Sequence, residues 1–160
     1  MSLLLLIGNV FRCANNMSTI GYYTFLITAS ALSTLSSSSI TTVPSPSNLP
    51  NVAIYALYPS APSNTSKPTK LIILNLSFHA ASSTTARREA QISVSGVLGT
   101  SNVKVTRFTA LGADSETQAT FGGQDWLSSG TGLPVGKKVV ETVRNGVVSV
   151  GDSEGIIDEV

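Results

Sequence analysis

Acidic residues that could act as a general acid and base occur in three close pairs in the second half of the chain. Glycoside hydrolysis uses two carboxylates on either side of the scissile bond, so each pair is a candidate for that chemistry. All three lie in or beside turns, where Asp and Ser side chains bond their own backbone. We therefore predict solvated or turn-capping roles and assign no catalytic residue. The pairs are Asp114 with Glu116, Asp152 with Glu154, and Asp158 with Glu159.

The single tryptophan is a second candidate, because an aromatic face can pack on the apolar face of a pyranose. Trp126 follows Gln124 and Asp125, whose side chains could bond sugar hydroxyls. A lone Trp in a small β-domain is more often a core residue that buries a large area. We favour the core interpretation and keep the sugar platform as the alternative.

Nucleophilic and metal chemistry have few residues to draw on. His79 is the only imidazole, and without an adjacent nucleophile we expect a partly exposed hydrogen-bonding residue rather than a general base. Cys13 is the only cysteine, so neither an intrachain disulfide framework nor a Cys/His zinc site is expected. The glycines of Gly130-Thr131-Gly132 lack the strand and helix that a phosphate loop needs. We predict no cofactor and no metal.

The length and charge of the chain restrict its partners. Its 160 residues correspond to one domain with an appendage. Ten Lys and Arg against nine Asp and Glu give a net charge of +1, which provides no general attraction for nucleic acid or anionic lipid. Residues 1–88 contain no acidic residue, and their cations are scattered rather than clustered. We expect neither nucleic acid nor a membrane surface as partner.

Residues 1–39 form an apolar segment that differs from the rest of the sequence. Its apolar runs are broken before they reach the ~18 to 20 residues of a membrane span. A secretory signal is weakly supported because no cationic residue precedes the leucines, which leaves localisation undetermined. Apolar spacing predicts an amphipathic helix over Ile20–Leu35, with Tyr22, Leu26 and Ala29 on one stripe and Tyr23, Ile27 and Ala31 beside them. This stripe needs a partner to cover it, and if nothing later in the chain provides one, the segment is a remnant of something larger.

Residues 40–50 are Ser- and Pro-rich and predict a linker with one short strand over Ile40–Val43. Residues 51–160 contain about seven or eight short strands with turn signals between them. This pattern is typical of an all-β, antiparallel β-sandwich or a small barrel, here preceded by the N-terminal helix. The predicted strands include Val52–Tyr58, Lys70–Phe78, Gln91–Val94, Asn102–Phe108, Thr117–Phe121 and Ile156–Val160.

Two local signals refine this strand pattern. Asn145-Gly146 tolerates the positive φ angles of a type I′ turn, so it predicts a β-hairpin between Lys138–Arg144 and Val147–Val150. A change of apolar parity at Arg107-Phe108 predicts a bulge or a strand end.

Glycosylation sequons begin at Asn16, Asn64 and Asn75, and only Asn64 lies in an evident exposed loop.

Five segments, taken in order, resemble the C-terminal β-domain of β-glucuronidases of glycoside hydrolase family 79. The similarity runs over Ala53–Val160 and reaches more weakly back to Gly21-Tyr22-Tyr23, while Leu111 stands where that family's pattern has proline. The segments are Asn51–Tyr58, Thr69–Leu76, Phe108–Ser115, Gly122–Trp126 and Val148–Ile157.

The resemblance implies an accessory role beside a catalytic partner. In that family a (β/α)8 barrel carries two catalytic glutamates, and the β-domain packs on its side as a sandwich. Tyr22–Leu35 then resembles the last helix of the barrel, which implies that its apolar stripe has no partner in this chain. The chain is expected to be a structural fragment without activity of its own. The family further implies secretion. A stand-alone carbohydrate-binding or adhesive sandwich that uses Trp126 is the alternative hypothesis.

Overall fold

The computed structural model describes residues 17–33, 39–59, 67–100, 102–115 and 117–160. Nine strands and two helices lie within these ranges, and every strand pair is antiparallel, which confirms the predicted all-β sandwich class. No helix in the described ranges has the length and apolar character to span a bilayer. The elements are α1 Met17–Leu32, β1 Ser39–Val43, β2 Val52–Tyr58, β3 Lys70–Asn75, β4 Glu89–Ser93, α2 Ser95–Leu98, β5 Val103–Thr109, β6 Thr120–Phe121, β7 Glu141–Val143, β8 Val147–Gly151 and β9 Gly155–Glu159.

A seven-stranded sheet forms the centre of the domain, in the order β1-β2-β3-β9-β5-β6, with β7 also paired to β5. All six residues of β3 are buried, as its apolar residues on both faces predict for a central strand. The strand ends at Asn75 rather than at Phe78. The Asn75 Oδ1 atom accepts a hydrogen bond from Ser77 N at 3.1 Å, which turns the backbone out of the ladder.

A two-stranded sheet of β4 and β8 covers one face of the large sheet. Alternate residues of the central strands meet the inward residues of this small sheet and of α2, and together they form the inter-sheet core. Burial of these aliphatic side chains is the main force that holds the two sheets together. The core consists of Val52, Ile54, Ala56, Leu71, Ile73, Ala90, Ile92, Val94, Leu98, Val103, Val105, Val148, Val150 and Ile156.

Helix α1 covers the opposite face, which corrects the expectation that its stripe lacks a partner. The buried positions are Tyr23, Ile27 and Ala31, spaced by one helical turn. The buried residues are thus the three predicted beside the stripe, whereas Ala29 on the stripe itself is exposed and Leu26 only half-buried. The Tyr22 side chain lies outside the described residues. The expectation was wrong because the same strands that feed the inter-sheet core also present apolar residues here. The residues packed with the helix are Leu57, Ile72, Leu74, Phe108, Ala119, Phe121 and Ile157.

Polar contacts fasten the helix at two points. The Tyr23 hydroxyl donates to Ala119 O at 2.6 Å, and its ring lies 5.2 Å from that of Phe108, centroid to centroid. Near the end of the helix, the buried Lys70 ammonium donates to Ser30 O at 3.1 Å. A cation on the last carbonyls of a helix satisfies acceptors that have no partner within the helix.

Asn145-Gly146 is a corner between the two sheets, so the predicted hairpin is wrong. Strand β7 pairs with β5 in the large sheet, whereas β8 pairs with β4 in the small one. Only Gly146 has a positive φ, at 66°, and a type I′ turn requires two such residues. Asn145 Oδ1 instead accepts from Val147 N at 3.1 Å. The alternating apolar residues of β8 are needed in the inter-sheet core, so the chain crosses over.

Strand β5 runs without a bulge through the change of parity. Its register with β9 is constant from Lys104 opposite Glu159 to Phe108 opposite Gly155. Val105 points into the inter-sheet core, while Phe108 packs with the helix. The apolar residues change from one face of β5 to the other because the small sheet covers one face and the helix covers the other. The strand ends at Thr109, one residue beyond the predicted end.

Candidate functional site

Asp152 and Glu154 are held by two consecutive arginines. Arg88 Nε donates to Asp152 Oδ2 at 3.0 Å, and Arg87 Nη1 donates to Glu154 Oε1 at 2.9 Å. Glu154 also accepts from Gly151 N at 3.1 Å. These carboxylates therefore anchor the approach to β4 against the corner between β8 and β9.

Arg107 forms an ion pair within the large sheet and a hydrogen bond to the small sheet. Arg107 on β5 donates to both oxygens of Glu141, at 2.7 and 3.0 Å, and to Ser149 O on β8 at 2.7 Å. The hydrogen bond to Glu141 raises the pKa of Arg107, with the charges of Glu141 and Glu154 acting in the same direction. A bidentate pair of this kind fixes geometry as well as charge. The pair holds β5 to β7 and engages both carboxylate oxygens of Glu141.

Asp158 and Glu159 point to opposite faces of β9, as alternation along a strand requires. Glu159 lies 3.8 Å from the Lys70 ammonium on the helix side. Asp158 is fully buried, and neither carboxylate oxygen has a hydrogen-bond partner within the described structure. Burial raises the pKa of Asp158 to about 7, while the charge of Arg107 acts in the opposite direction. Two carboxylates on opposite faces cannot act on one bond.

His79 and Asp114 lie on two chain segments that are hydrogen-bonded to each other. His79 is half-buried, its backbone N donates to Ser153 Oγ at 2.9 Å, and its carbonyl accepts from Ala113 N at 2.8 Å. Asp114 Oδ1 accepts from Ala81 N at 2.6 Å, which is a turn cap. Glu116, the predicted partner of Asp114, lies outside the described residues.

Trp126 and its two neighbours are used within the fold. The indole is half-buried against the helix side of the sheet, and its Nε1 is buried without a hydrogen-bond partner in the described structure. Asp125 Oδ1 accepts from Leu127 N at 2.8 Å and from Ser128 N, and the bond from Leu127 N contributes most to lowering the Asp125 pKa. Gln124 Nε2 donates to Gly136 O at 3.1 Å. This arrangement favours the core interpretation over a sugar platform.

Asn75 is a structural residue rather than a glycan acceptor. Its side chain is 2% exposed, and Nδ2 donates to Val150 O at 3.1 Å. A glycan could not be attached there without opening the end of β3. The other sequon residues Asn16 and Asn64 lie outside the described residues, as does Cys13. In the described ranges, no three His, Cys, Asp or Glu side chains are grouped closely enough to hold a metal ion.

A pocket of about 260 Å³ surrounds Asn75 and Asp152, and the sequence analysis missed it. The two side chains are joined at 3.4 Å although 77 residues separate them. No local pattern announces this proximity, because it arises from the pairing of distant strands. We call it the Asn75 pocket. Its walls are formed by Asn48, Leu49, Pro50, Asn51, Val52, Asn75, Ser77, Arg88, Glu89, Ala90 and Asp152.

Residues 122–140, here called the apolar loop, present large apolar side chains to solvent. Its two limbs are joined by hydrogen bonds between Asp125 and Val135 and from Val139 N to Gly122 O. Gly123, with a φ of 71°, allows the limbs to approach, since a Cβ there would lie 3.0 Å from Val139 Cγ2. Contiguous exposed apolar side chains commonly mark interaction sites. The exposed residues are Leu127, Leu133, Val135, Val139 and Val140.

Residues 54–157 match the model of the glycosyl hydrolase family 79 C-terminal beta domain. The chain belongs to this family. The match begins in β2 and ends in β9, so it includes strands of both sheets and the apolar loop. It confirms the resemblance drawn from the five sequence segments. No curated protein matches the chain.

Proposed function

We propose that this family 79 β-domain is a non-catalytic accessory domain that packs against the catalytic domain of a family 79 glycoside hydrolase. The observation that carries the proposal is the match to a C-terminal β-domain over residues 54–157. A family defined by its position beside another domain implies a partner, here the (β/α)8 barrel.

The placement of the carboxylates supports the non-catalytic role. Glycoside hydrolysis needs an acid and a nucleophile or base about 5 to 10 Å apart across an accessible cleft. Here Asp152 and Glu154 are paired with arginines, and Asp114 caps a turn. Each of these three carboxylates therefore already serves the stability of the sandwich.

The apolar loop supports a docking role. Leu133 is 66% exposed and Val139 51% exposed, so both would gain from being covered. Burial of a large aliphatic side chain contributes about 1.5 to 3 kcal/mol. We assign the catalytic domain as the partner that covers this loop.

The domain that docks includes the helix and the first strand. The sequence placed boundaries at residues 1–39, 40–50 and 51–160. Because Tyr23 and Ile27 share one core cluster with Leu57, and because β1 pairs with β2 over five residues, we propose one unit from the helix to the end of the chain.

Two measurements test this function. The purified chain is expected to show no hydrolysis of an aryl glucuronide, and turnover that a single Asp or Glu substitution abolishes would contradict the proposal. Co-expressed with a family 79 catalytic domain that lacks its own β-domain, the chain should co-purify with it. Leu133→Ser combined with Val139→Ser should weaken this association, whereas Val147→Ser, on the exposed side of the small sheet, should not. If the parent chain, the double variant and Val147→Ser co-purified equally with the catalytic domain, docking through the apolar loop would be refuted.

A further inference from the structure

We propose that the Asn75 pocket binds a neutral polyhydroxylated ligand with the size of one sugar ring. This activity goes beyond the docking role, because the pocket and the apolar loop share no residue. The inference rests on a rigid polar floor, on unused hydrogen-bonding groups around it, and on the balance of charge.

The floor of the pocket is preformed. Asn75 and Asp152 are 2% and 5% exposed, and they are hydrogen-bonded to each other. Asn75 also donates to Val150 O, and Asp152 N donates to Arg88 O at 3.0 Å. Since these contacts are all made between groups of the protein itself, binding would require little reorganisation of the floor.

The rim offers both donors and acceptors that the protein does not use. Arg88 is held through Nε by Asp152, and within the described structure its two terminal amino groups make no hydrogen bond. The Asn48 side chain is likewise unpaired among the described residues. Glu89 Oε2 accepts from Ser149 Oγ at 2.6 Å, which leaves Oε1 as an acceptor for a ligand. A hydroxyl group both donates and accepts, so a polyol can satisfy all these groups.

The charge of the pocket disfavours an anion. Arg88 contributes one positive charge, while Glu89 and Asp152 contribute two negative charges. These three side chains together therefore carry a net charge of −1. An incoming carboxylate or phosphate would meet Glu89 without a compensating free cation.

The size and the apolar wall limit the ligand to one ring. The volume of about 260 Å³ lies below the ~300 to 1,000 Å³ of pockets that hold drug-sized molecules. Leu49, Pro50 and Val52 supply apolar lining that can contact the C–H groups of a pyranose. The mixture of an apolar wall with polar groups on the rim fits such a ring.

The test is an NMR titration of the full chain with the methyl β-glycosides of glucose, galactose and mannose. Methyl β-glucuronide serves as the charged comparator. We expect saturable shifts at Asn51 and Asn75 with a millimolar Kd for at least one neutral glycoside, and weaker binding of the glucuronide. Arg88→Ala and Asn48→Ala should each raise the Kd about five- to tenfold, which corresponds to the loss of one or two ligand hydrogen bonds. Arg144→Ala, which removes an exposed arginine outside the pocket, should leave it unchanged.

Arg88→Ala removes the partner of buried Asp152 and could therefore weaken binding by disturbing the fold. Asn48→Ala removes no such partner and is included for that reason. Absence of saturable shifts with all three neutral glycosides would overturn the proposal. So would shifts centred on Trp126, tighter binding of the glucuronide, or binding that neither variant affects. None of these outcomes bears on co-purification with a catalytic domain, so the two proposals can fail separately.

Discussion

Asp158 should make the stability of the domain fall as the pH rises. It lies on β9 and faces the inter-sheet core, opposite Leu71 on one side and Val105 on the other. The side chain is fully buried without a hydrogen-bond partner in the described structure, and burial raises its pKa from 3.8 to about 7. The folded state therefore holds a proton that the unfolded chain has already released.

The magnitude follows from the two pKa values. Between pH 3.8 and about 7 the folded state binds one more proton than the unfolded state. The free energy of unfolding then decreases by about 1.4 kcal/mol per pH unit. The contribution of Asp158 is fully present below pH 3.8 and is lost as the pH rises through the folded pKa. Over the whole interval the loss is about 4 kcal/mol, to within a unit of pKa.

The perturbation is Asp158→Asn, which keeps the shape of the side chain but cannot ionise. Urea unfolding of both chains at several pH values between 4.5 and 8 gives the difference in unfolding free energy. This difference should shift in favour of the variant by about 1.4 kcal/mol per pH unit up to pH 7 and level off above it. For a chain of this length, the full effect corresponds to roughly 8 to 16 °C in melting temperature.

The comparison with the variant isolates Asp158 from the other titrating groups. The other titrating groups act on both chains equally and cancel in the difference. Glu159→Gln, one residue further along β9 with a half-exposed side chain, is the control and should not reproduce the trend. Parallel pH profiles for Asp158→Asn and the parent would refute the argument, since they would mean that the carboxyl ionises as easily in the folded core as in water.

Three further changes test the architecture. Deleting residues 1–38 should lower the melting temperature and increase light scattering, because it uncovers the face buried by Tyr23, Ile27 and Ala31; a truncated chain with unchanged melting would show that the helix does not stabilise the sandwich. Tyr23→Phe should cost about 1 to 3 kcal/mol in urea unfolding, since Ala119 O and Trp126 N both lose the hydroxyl as partner; a loss within error would refute the buried bond. Gly146→Val should cost about 1 kcal/mol or more, because Gly146 has a φ of 66°, whereas Gly96→Val, with open space around its Cβ position, should cost less.

Strands with a clear pattern could be predicted from the sequence, whereas their partners could not. Val52–Tyr58 agrees with the prediction at both ends, because its apolar residues stop at Pro59. Asn145-Gly146 carries the strongest hairpin signal in the chain, yet it turns a corner between sheets. The preference for a positive φ at Gly146 is satisfied both by a hairpin turn and by a corner between the sheets. The choice depends on where the apolar residues of β8 find cover, and that is a tertiary effect.

The dependence on tertiary contacts also explains why the packing partner of the helix and the existence of the pocket could not be predicted. The apolar stripe of the helix and the two apolar faces of β3 are both visible in the sequence, but their mutual fit depends on the packing of three layers. The sequence also contains Asn75 and Asp152 without any sign that they meet. Their contact depends on the register that places the end of β3 beside the β8–β9 corner.

Coverage of the large sheet on both faces determines where function can lie. Helix α1 buries one face of the central strands and the small sheet buries the other, so among the described strands β3 offers no open face for a ligand or a partner. We therefore expect binding at loops and corners. Arg88 and Asn48 at the Asn75 pocket are exposed side chains outside both core clusters, as is Leu133 on the apolar loop. Substitutions at Asn48 and Leu133 can change binding while the buried layers that hold the domain together remain intact, whereas Arg88 also pairs with buried Asp152.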